Sequence, residues 1–402
     1  MRIIYLHQYF NTPEMPGSTR SYEIGRRLAA AGHTVEIVTS WRQPTDKSGW
    51  LQTEVAGMRV HWLSVPYSNQ MNYTSRVAAF LRFALSAARR ARNLEGDVVF
   101  ASSTPLTIAL PGAYAAWFQH IPMVFEVRDL WPELPIAIGA IKNPMARLAA
   151  RLLERFAYAR SARVVALSPG MAAGVARTGY PRERIVVVPN GSDIGFFERD
   201  IERGRALRTR LGISEQKVVV GYAGTLGRIN GVGYLVQVAA ALRTNQRFVF
   251  LLIGEGLERE RIEAEARECG VLNLNLIMHE EIAKAEMGGV FSAFDVATSL
   301  FLPLPEMESN SANKFFDALA AGCCVAINYG GWQAELLREY GAGVRLSNNP
   351  QTAARELRSL ADDPGALKAA GLGARRLAVE KFSRDSLAAR IEAVLTEATT
   401  EK

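Results

Sequence analysis

Short apolar runs alternate with amphipathic stretches along most of the 402-residue chain. The run Arg2–Leu6 predicts a first strand, and the stretch Ser21–Ala31 has the apolar spacing of a helix that ends at Gly32. A second strand is predicted over Val35–Thr39. The same order of strand, loop, helix and strand recurs from Val218 onward, so the pattern predicts two doubly wound α/β domains.

Charge is divided unevenly between the two halves of the chain, whose net formal charge is +7. Residues through Asn190 carry 22 Lys and Arg against 12 Asp and Glu, whereas the remaining residues carry 25 against 28. A basic first half indicates an anionic partner, such as a membrane surface or a nucleic acid. None of the usual nucleic-acid-reading motifs is present, so we expect no nucleic-acid partner.

The cysteines and the N-terminus indicate the cellular compartment of the protein. Cys269, Cys323 and Cys324 lack zinc-ligand spacing, and adjacent cysteines rarely bridge each other. The N-terminus lacks the apolar run of a signal peptide, and no run of about 18 uncharged apolar residues could form a spanning helix. We therefore expect a cytoplasmic protein.

A basic amphipathic helix is predicted over Thr74–Asn93. It contains no acidic residue, and its arginines are Arg76, Arg82, Arg89, Arg90 and Arg92. Such a helix suits an anionic membrane surface, with the arginines at the lipid headgroups. A surface helix that packs one apolar face on its own domain has the same pattern, so both interpretations stay open.

The stretch Ser309–Gly322 carries the most specific chemistry. Small polar residues lead into a helix, so backbone N–H groups at its N-terminus are available to an anion. The positive charge of Lys314 in the first turn is unfavourable beside the positive end of the helix dipole. A phosphate bound next to the lysine would offset this effect. Asp317, about one helical turn later, could accept two sugar hydroxyls. The alternative is an ordinary amphipathic helix capped by Asn310 or Ser311.

A glycine-rich loop follows the strand predicted at Val218. This loop, which includes Gly227 and Arg228, is of the kind that cradles phosphates between a strand and a helix. Arg228 and Lys314 would supply two cations to a diphosphate. A solvated loop arginine is the alternative for Arg228. A second glycine turn, at Gly254, ends the next predicted strand.

Gly17 lies at the entrance to the first predicted helix, where a glycine lets the backbone approach a ligand closely. Ser18, Thr19 and the helix N-terminus could then face a phosphate, and Arg20 would add charge. Ser18 or Thr19 could equally serve to cap the helix.

Charged residues follow the apolar strand predicted over Pro122–Val127. Ligands of open α/β sheets bind beyond the carboxyl ends of the strands, which is where Asp129 falls. Asp129 could accept a hydroxyl proton or orient a sugar. A salt bridge between Arg128 and Asp129 is the alternative.

Three sequence segments resemble the retaining GT-B glycosyltransferases of family 4, also called glycosyl transferases group 1. They are RDLWPE at 128–133, NKFFDALAAG at 313–322 and GGW at 330–332. Together they are similar to the bacterial surface-polysaccharide branch of that family. The family usually carries two Glu residues separated by seven positions. Here Asp317 occupies the second position and Ser309 the first.

The resemblance implies an α/β protein with the GT-B fold, in which two facing Rossmann-like doubly wound domains have a cleft between them. Residues 1–192, with the return helix 384–402, would form the N-terminal acceptor-side domain. Residues 193–383 would form the nucleotide-sugar-binding domain. The mixed-charge stretch Ser192–Ile213 is interpreted as a linker and lead-in.

The resemblance also assigns roles to residues. Asp129, Arg228 and Lys314 would be catalytic. The two cations would neutralise the leaving diphosphate, so that neither a metal ion nor another cofactor is required. Asp317 would hold ribose hydroxyls, and Gly17 would lie against the diphosphate. The residues expected to bind the donor are Gly17, Gly227, Gly254, Glu281, Asn310, Ser311, Ala312, Asn313 and Asp317.

The implied activity is retaining transfer of a hexosyl or N-acetylhexosaminyl group from a nucleotide-diphosphate sugar, a UDP-sugar being favoured. The acceptor would be a polyprenyl-diphosphate-linked saccharide in polysaccharide or O-antigen biosynthesis. The protein would associate peripherally with the inner face of the cell membrane through residues 74–93. A sugar-nucleotide epimerase of the same fold and a non-catalytic membrane-docked nucleotide-binding protein are the alternatives.

Overall fold

The chain folds into two α/β units. The computed structural model describes residues 1–15, 17–43, 49–67, 71 and 73–400. Unit 1 comprises Met1–Pro189 and Asp385–Lys402, and unit 2 comprises Asn190–Arg384. Each unit is built around its own sheet of mainly parallel strands, as the alternation of apolar runs and amphipathic stretches predicts.

The strands of unit 1 are β1 (Arg2–Leu6), β2 (Thr34–Trp41), β3 (Trp50–Val55), β4 (Met58–Ser64), β5 (Val98–Ser102), β6 (Met123–Val127), β7 (Arg163–Ala166) and β8 (Ile185–Val187). They form one sheet in the order β3-β4-β2-β1-β5-β6-β7-β8, in which only β3 and β4 pair antiparallel. The sequence does not predict β3. This edge strand exposes Leu51, Gln52 and Glu54, so it lacks the apolar face that would identify it as a strand in the sequence.

The helices of unit 1 are α1 (Arg20–Ala30), α2 (Tyr73–Arg92), α3 (Ala109–Gln119), α4 (Glu133–Ala137), α5 (Pro144–Ala159) and α6 (Pro169–Arg177). The last helix of the chain, Arg384–Thr400, buries Leu387 and Ile391 in the same apolar cluster as Ile3 and Tyr5 of β1. In the part of the chain that the structure describes, no helix is both long enough and apolar enough to cross a lipid bilayer.

The strands of unit 2 are β9 (Val218–Ala223), β10 (Phe248–Ile253), β11 (Leu276–His279), β12 (Val296–Ser299), β13 (Cys324–Ile327) and β14 (Gly343–Arg345). They form one parallel sheet in the order β11-β10-β9-β12-β13-β14. The carboxyl ends of β9, β10 and β12 therefore meet at one edge, where open α/β sheets bind their ligands.

The helices of unit 2 are α7 (Ile201–Arg210), α8 (Gly233–Ala241), α9 (Arg259–Glu268), α10 (Met287–Ser292), α11 (Asn313–Ala320), α12 (Trp332–Tyr340), α13 (Pro350–Asp362) and α14 (Pro364–Lys381). The last helix of the chain, Arg384–Thr400, is α15, and it packs in unit 1. The helix predicted after Ser309 is observed as α11, and Gly322 follows it in the left-handed region with φ +63°.

The linker prediction for Ser192–Ile213 is wrong over its second half, which forms α7. Asp200 caps this helix by accepting a hydrogen bond from a first-turn N–H at 3.0 Å. The helix lies so close to α10 that a Cβ atom at Gly204 would be 2.5 Å from Ser292 O. Leu207 is the only large apolar side chain that α7 buries, so the sequence lacks the periodic apolar pattern of a helix.

A buried ion pair fixes the start of α1 on the unit 1 sheet. Arg20 Nε donates to Glu126 Oε1 at 2.9 Å, and Glu126 Oε2 accepts a hydrogen bond from Ser102 Oγ at 2.5 Å. The two Nη atoms of Arg20 donate to Val188 O at 2.9 Å and Pro189 O at 2.7 Å. The expectation that Arg20 adds charge beside a phosphate is therefore wrong, because its guanidinium is engaged inside the unit.

Glu126→Gln tests this anchor. The Glu126 side chain is 0% exposed and that of Arg20 is 6% exposed, so the substitution leaves a buried guanidinium without a counter-charge. We expect the free energy of unfolding of unit 1 to fall by about 3 kcal/mol or more. Urea unfolding followed by tryptophan fluorescence measures this, because five of the six tryptophans belong to unit 1: Trp41, Trp50, Trp62, Trp117 and Trp131.

Glu95→Gln is the matched control. Glu95 pairs with Arg2 at 2.6 Å, but its side chain is 85% exposed, and exposed pairs add little stability. Its unfolding curve should coincide with that of the parent protein. Equal unfolding curves for the Glu126 and Glu95 variants would contradict the anchoring role of the buried pair.

Candidate functional site

Two glycine turns lie at the carboxyl edge of the unit 2 sheet, one after β9 and one after β10. A Cβ atom at Gly254 would be 2.0 Å from Gly224 O, and one at Gly256 would be 2.5 Å from Leu226 O. The glycines therefore allow the two turns to pack backbone to backbone, which a side chain would prevent. The ligand contacts expected of Gly227 and Gly254 stay predictions.

Lys314 reaches over the first of these turns from the start of α11. Its Nζ donates to Tyr222 OH at 3.1 Å and to Asn230 Oδ1 at 2.9 Å. The amine also lies 4.9 Å from the centre of the Tyr222 ring and 5.4 Å from that of Phe301. A Cβ atom at Gly224 would be 3.5 Å from Lys314 Cε, so the lysine side chain lies directly over that glycine.

The Lys314 amine has no counter-charge in the protein as described. Its hydrogen-bond partners are a hydroxyl and an amide oxygen, and no carboxylate of the described residues pairs with it. Burial without a counter-charge lowers the pKa of Lys314 to about 7. An anion beside the amine would favour its charged form, so the position is suited to a phosphate.

The sequence does not predict the aromatic surroundings of this amine. Tyr222 OH donates to Thr225 O at 2.8 Å, and Asn230 Nδ2 donates to the same oxygen at 2.9 Å. Asn328 holds Phe301 through two hydrogen bonds to its backbone, at 2.8 and 3.0 Å. Tyr222 belongs to a strand that is buried along its whole length, so no alternation of polar and apolar residues identifies it as a site residue.

Arg228 opens a short 3-10 turn, Arg228–Asn230, directly after Gly227. Its side chain is exposed, and among the described residues it makes neither a hydrogen bond nor an ion pair. Because Lys314 donates to Asn230, the structure brings the two predicted cations to the same loop. Their contacts with a diphosphate stay predictions.

The loop before α11 is held by its own polar groups. The Asn310 side chain is buried; its Nδ2 donates to a backbone oxygen at 2.6 Å, and its Oδ1 accepts from Ala312 N at 3.1 Å. Ser311 Oγ accepts a hydrogen bond from Asn190 N at 3.0 Å. These bonds shape the loop. The donor contacts expected of Asn310, Ser311, Ala312 and Asn313 stay predictions.

Asp317, one turn after Lys314, has a different set of neighbours. Its Oδ1 accepts a hydrogen bond from Ser192 Oγ at 2.8 Å. Burial raises the pKa of Asp317 to about 6, against the opposing effect of the Arg384 charge. One carboxylate oxygen is thus used inside unit 2. The ribose contact expected of Asp317 stays a prediction, as does the donor contact of the exposed Glu281.

Asp129 lies at the carboxyl edge of the unit 1 sheet, where its Oδ2 accepts a hydrogen bond from Thr104 Oγ1 at 3.1 Å. The salt bridge considered as an alternative for Arg128 and Asp129 does not form. The Nη atoms of Arg128 instead donate to His7 Nε2 and Ser18 Oγ, each at 2.9 Å. The catalytic role of Asp129 stays a prediction.

Gly17 precedes α1 with φ +118°, a backbone conformation that favours glycine. A Cβ atom there would be 2.8 Å from Asn11 Nδ2, which donates to Ser18 O at 3.1 Å. The turn thus needs a glycine for the close approach of Asn11. The expected contact of Gly17 with a diphosphate stays a prediction.

Three helices of unit 1 that pack side by side expose apolar and basic side chains, and we call this region the α2–α3–α5 surface. Its exposed apolar residues are Leu81, Leu85, Leu110, Tyr114, Trp117, Phe118, Met145, Leu148 and Leu152. Its exposed arginines include Arg82, Arg89, Arg151 and Arg155. The opposite face of α2 buries Phe83 and Ala87 in the core. This helix therefore packs on its own unit and still presents an apolar, basic outer face.

Lys314→Met tests the desolvated amine. The unfolded chain keeps the lysine proton up to the ordinary pKa of 10.5, whereas the folded protein releases it at about 7. The unfolded state therefore binds more protons between these values, so burial of the lysine costs most stability below pH 7 and progressively less above it. We expect calorimetry to show the variant melting about 3 °C or more above the parent protein at pH 6.5, with a smaller difference at pH 9.5.

Lys368→Met, at an exposed position of α14, is the matched control and should leave the melting temperature unchanged at both pH values. A Lys314→Met variant that melts below the parent protein at pH 6.5 would show that the amine is not a destabilising group.

Two domain families match the chain. Residues 17–191 match the glycosyl transferase 4-like domain, and residues 217–363 match glycosyl transferases group 1. The putative colanic acid biosynthesis glycosyl transferase WcaI of Escherichia coli (strain K12) is 25% identical over 284 residues, which cover 65% of this chain and 68% of the relative. A D-inositol 3-phosphate glycosyltransferase of Xylanimonas cellulosilytica is 26% identical over 390 residues, which cover 94% of this chain and 90% of the relative.

The crystal structure of Anabaena HepE in complex with UDP-glucose has a TM-score of 0.75 to this chain at 17% sequence identity, over 99% of this chain and 100% of that one. Together with the two α/β units, this likeness identifies the GT-B fold and confirms the predicted fold class. The chain thus carries a glycosyl transferase 4-like domain followed by a glycosyl transferases group 1 domain, and it is a glycosyltransferase.

Proposed function

We propose that the protein transfers a hexosyl or N-acetylhexosaminyl group from a UDP-sugar to a polyprenyl-diphosphate-linked saccharide, with retention of configuration. The observation that carries this proposal is the placement of Lys314 and Arg228 at one loop of unit 2. Among the described residues, neither side chain has a carboxylate partner. Two such cations beside glycine turns suit the diphosphate of a nucleotide sugar.

The same two cations account for departure of UDP. Cleavage of the bond from the sugar C1 to the phosphate oxygen places negative charge on the β-phosphate, which Arg228 and Lys314 would stabilise without a metal ion. Tyr222 and Asn230 hold the Lys314 amine in place beforehand, so little reorganisation is needed. The UDP-glucose complex of the similar HepE supports a UDP-sugar as the donor.

Retention follows if the acceptor hydroxyl attacks the face of the sugar from which UDP departs. The bond from C1 to the phosphate oxygen breaks, a bond from C1 to the acceptor oxygen forms, and the hydroxyl proton passes to the departing phosphate. Asp129 would orient the acceptor hydroxyl with the oxygen that Thr104 does not contact. Asp317 would hold ribose hydroxyls with the oxygen that Ser192 does not contact.

The α2–α3–α5 surface supports an acceptor anchored in a membrane, and the colanic acid relative supports a place in polysaccharide assembly. Each arginine near an anionic lipid surface contributes about 1 kcal/mol. Exposed rings such as Trp117, which is 64% exposed, favour the interface between lipid and water. In this proposal, peripheral attachment to the inner face of the membrane uses residues 74–93, most of which lie in α2, together with α3 and α5.

Donor binding is tested by calorimetric titration of UDP and UDP-glucose into the protein. Arg228→Gln and Lys314→Met should each weaken binding about 10-fold or more, because each removes a charge-assisted contact to the diphosphate. Arg243→Gln, at an exposed position after α8, is the matched control and should bind like the parent protein.

The same titrations in EDTA test independence from metal ions, and we expect unchanged affinities. Binding of UDP that disappears in EDTA would contradict the roles given to the two cations. Equal affinities in the Arg228, Lys314 and Arg243 variants would contradict the location of the donor site.

Membrane attachment is tested by sedimentation with vesicles of phosphatidylglycerol and phosphatidylcholine. The double substitution Arg82→Glu and Arg89→Glu should lower the vesicle partition coefficient about 30-fold or more, because two attractive charges become repulsive. The double substitution Arg182→Glu and Arg184→Glu makes the same change of net charge on an exposed turn of unit 1. Equal losses in the two proteins would show that net charge, rather than the α2–α3–α5 surface, determines binding.

A further inference from the structure

Polar residues of unit 1 converge where three neighbouring strands of its sheet end. His7 follows β1, Ser103 follows β5 and Arg128 follows β6, and these strands are adjacent and parallel. Ser18, just before α1, contacts the same cluster. Ligands of open α/β sheets bind beyond the carboxyl ends of the strands, so this edge is a position for a substrate group.

Arg128 is fixed at this edge by neutral groups. Its Nη1 donates to His7 Nε2 and its Nη2 to Ser18 Oγ, each at 2.9 Å, and its backbone N–H donates to Ser103 Oγ at 3.0 Å. Since His7 Nε2 accepts a hydrogen bond, the ring proton is on Nδ1, which donates to Ser21 Oγ at 2.8 Å. The guanidinium is therefore held in one orientation without a counter-charge from these partners.

A second guanidinium approaches the same histidine. Arg42 follows β2, donates to Asn11 Oδ1 and lies with its Cζ 5.8 Å from the centre of the Tyr9 ring. His7 is 2% exposed, and burial together with the positive charges of Arg128 and Arg42 lowers its pKa well below the ordinary value. His7 is therefore neutral and adds no charge to either arginine.

The carboxylates nearest in sequence to Arg128 have other partners. Glu126 pairs with Arg20 inside the unit, and Asp129 accepts a hydrogen bond from Thr104. Within the described ranges Arg128 is in no ion pair, and three of its five side-chain N–H groups have no partner. The cluster thus presents a fixed and uncompensated cation.

We propose that Arg128 binds a phosphate group of a substrate at the carboxyl edge of the unit 1 sheet. A guanidinium forms paired hydrogen bonds to phosphate oxygens, and Arg128 is already oriented by His7 and Ser18. The N-terminus of α1, which follows Ser18, adds a partial positive charge. The inference rests on the proposed function only for the identity of the substrate, whose phosphate belongs either to the nucleotide sugar or to the acceptor diphosphate.

Inorganic pyrophosphate is the probe for this site. It is titrated by calorimetry into a protein that carries Lys314→Met and Arg228→Gln, so that the two cations of unit 2 are absent. We expect pyrophosphate to bind, and Arg128→Gln in the same background to weaken its binding about 10-fold or more. Arg128→Lys keeps the charge but not the planar fork, and should retain part of the affinity. Arg177→Gln, at an exposed position of α6, is the matched control.

Absence of pyrophosphate binding to that background, or equal binding with and without Arg128, would overturn the inference. Urea unfolding followed by tryptophan fluorescence shows whether unit 1 remains folded in the Arg128→Gln protein. If it does not, Arg128→Lys and Ser18→Ala provide the test, and each should weaken pyrophosphate binding about 3-fold or more. Unchanged binding in both variants would again overturn the inference.

UDP and farnesyl diphosphate distinguish the two sources of the phosphate. In a protein with Lys314 and Arg228 intact, Arg128→Gln should weaken UDP binding about 10-fold if the donor supplies the phosphate. It should weaken farnesyl diphosphate binding instead if the acceptor supplies it. If neither affinity changes, no substrate phosphate binds at Arg128. Failure of the proposed function gives a different result, in which the parent protein does not bind UDP while pyrophosphate still binds through Arg128.

Discussion

A lysine amine without a counter-charge is the interaction on which the candidate donor site of unit 2 depends. Tyr222, Asn230 and Phe301 surround the Lys314 amine with a hydroxyl, an amide oxygen and aromatic rings, but with no carboxylate of the described residues. Burial therefore opposes the charged form, and the pKa falls to about 7. The buried amine lowers the stability of the protein and favours the binding of an anion. Such a loss of stability is expected of a site that is preorganised for its ligand.

Unit 1 shows both ways in which a protein can use a partly or fully buried arginine. Arg20 is neutralised by Glu126 and bonded to backbone oxygens, so its role is to fix α1 on the sheet. Arg128 is oriented by the neutral His7 and by Ser18, and in the described part of the chain it has no carboxylate partner. The two arginines differ in whether a carboxylate neutralises the guanidinium charge. Burial alone does not distinguish them. The same criterion separates Lys314 from an ordinary structural lysine.

The sequence predicts the fold well where apolar periodicity is strong, and less well where it is absent. β1 has its predicted bounds, whereas the exposed edge strand β3 and the charged helix α7 lack an apolar pattern. Residue type and spacing predict only part of the candidate site. That part includes Lys314 and Arg228, which lie beside the glycine turns. Arg20 begins α1 and Arg128 directly follows β6, and only their contacts distinguish their roles: Glu126, the partner of Arg20, lies 106 residues away. No local pattern contains such a distant contact.

Proton uptake on UDP binding tests the central claim most directly. At pH 8, an amine with a pKa of about 7 is mostly uncharged, and a bound diphosphate would raise that pKa. Calorimetric titrations in Tris and in HEPES, which differ in ionisation enthalpy, give the number of protons taken up. We predict close to one proton per UDP in the parent protein and almost none in Lys314→Met. Binding of UDP without proton uptake, or with an uptake that persists in Lys314→Met, would contradict the role assigned to this lysine.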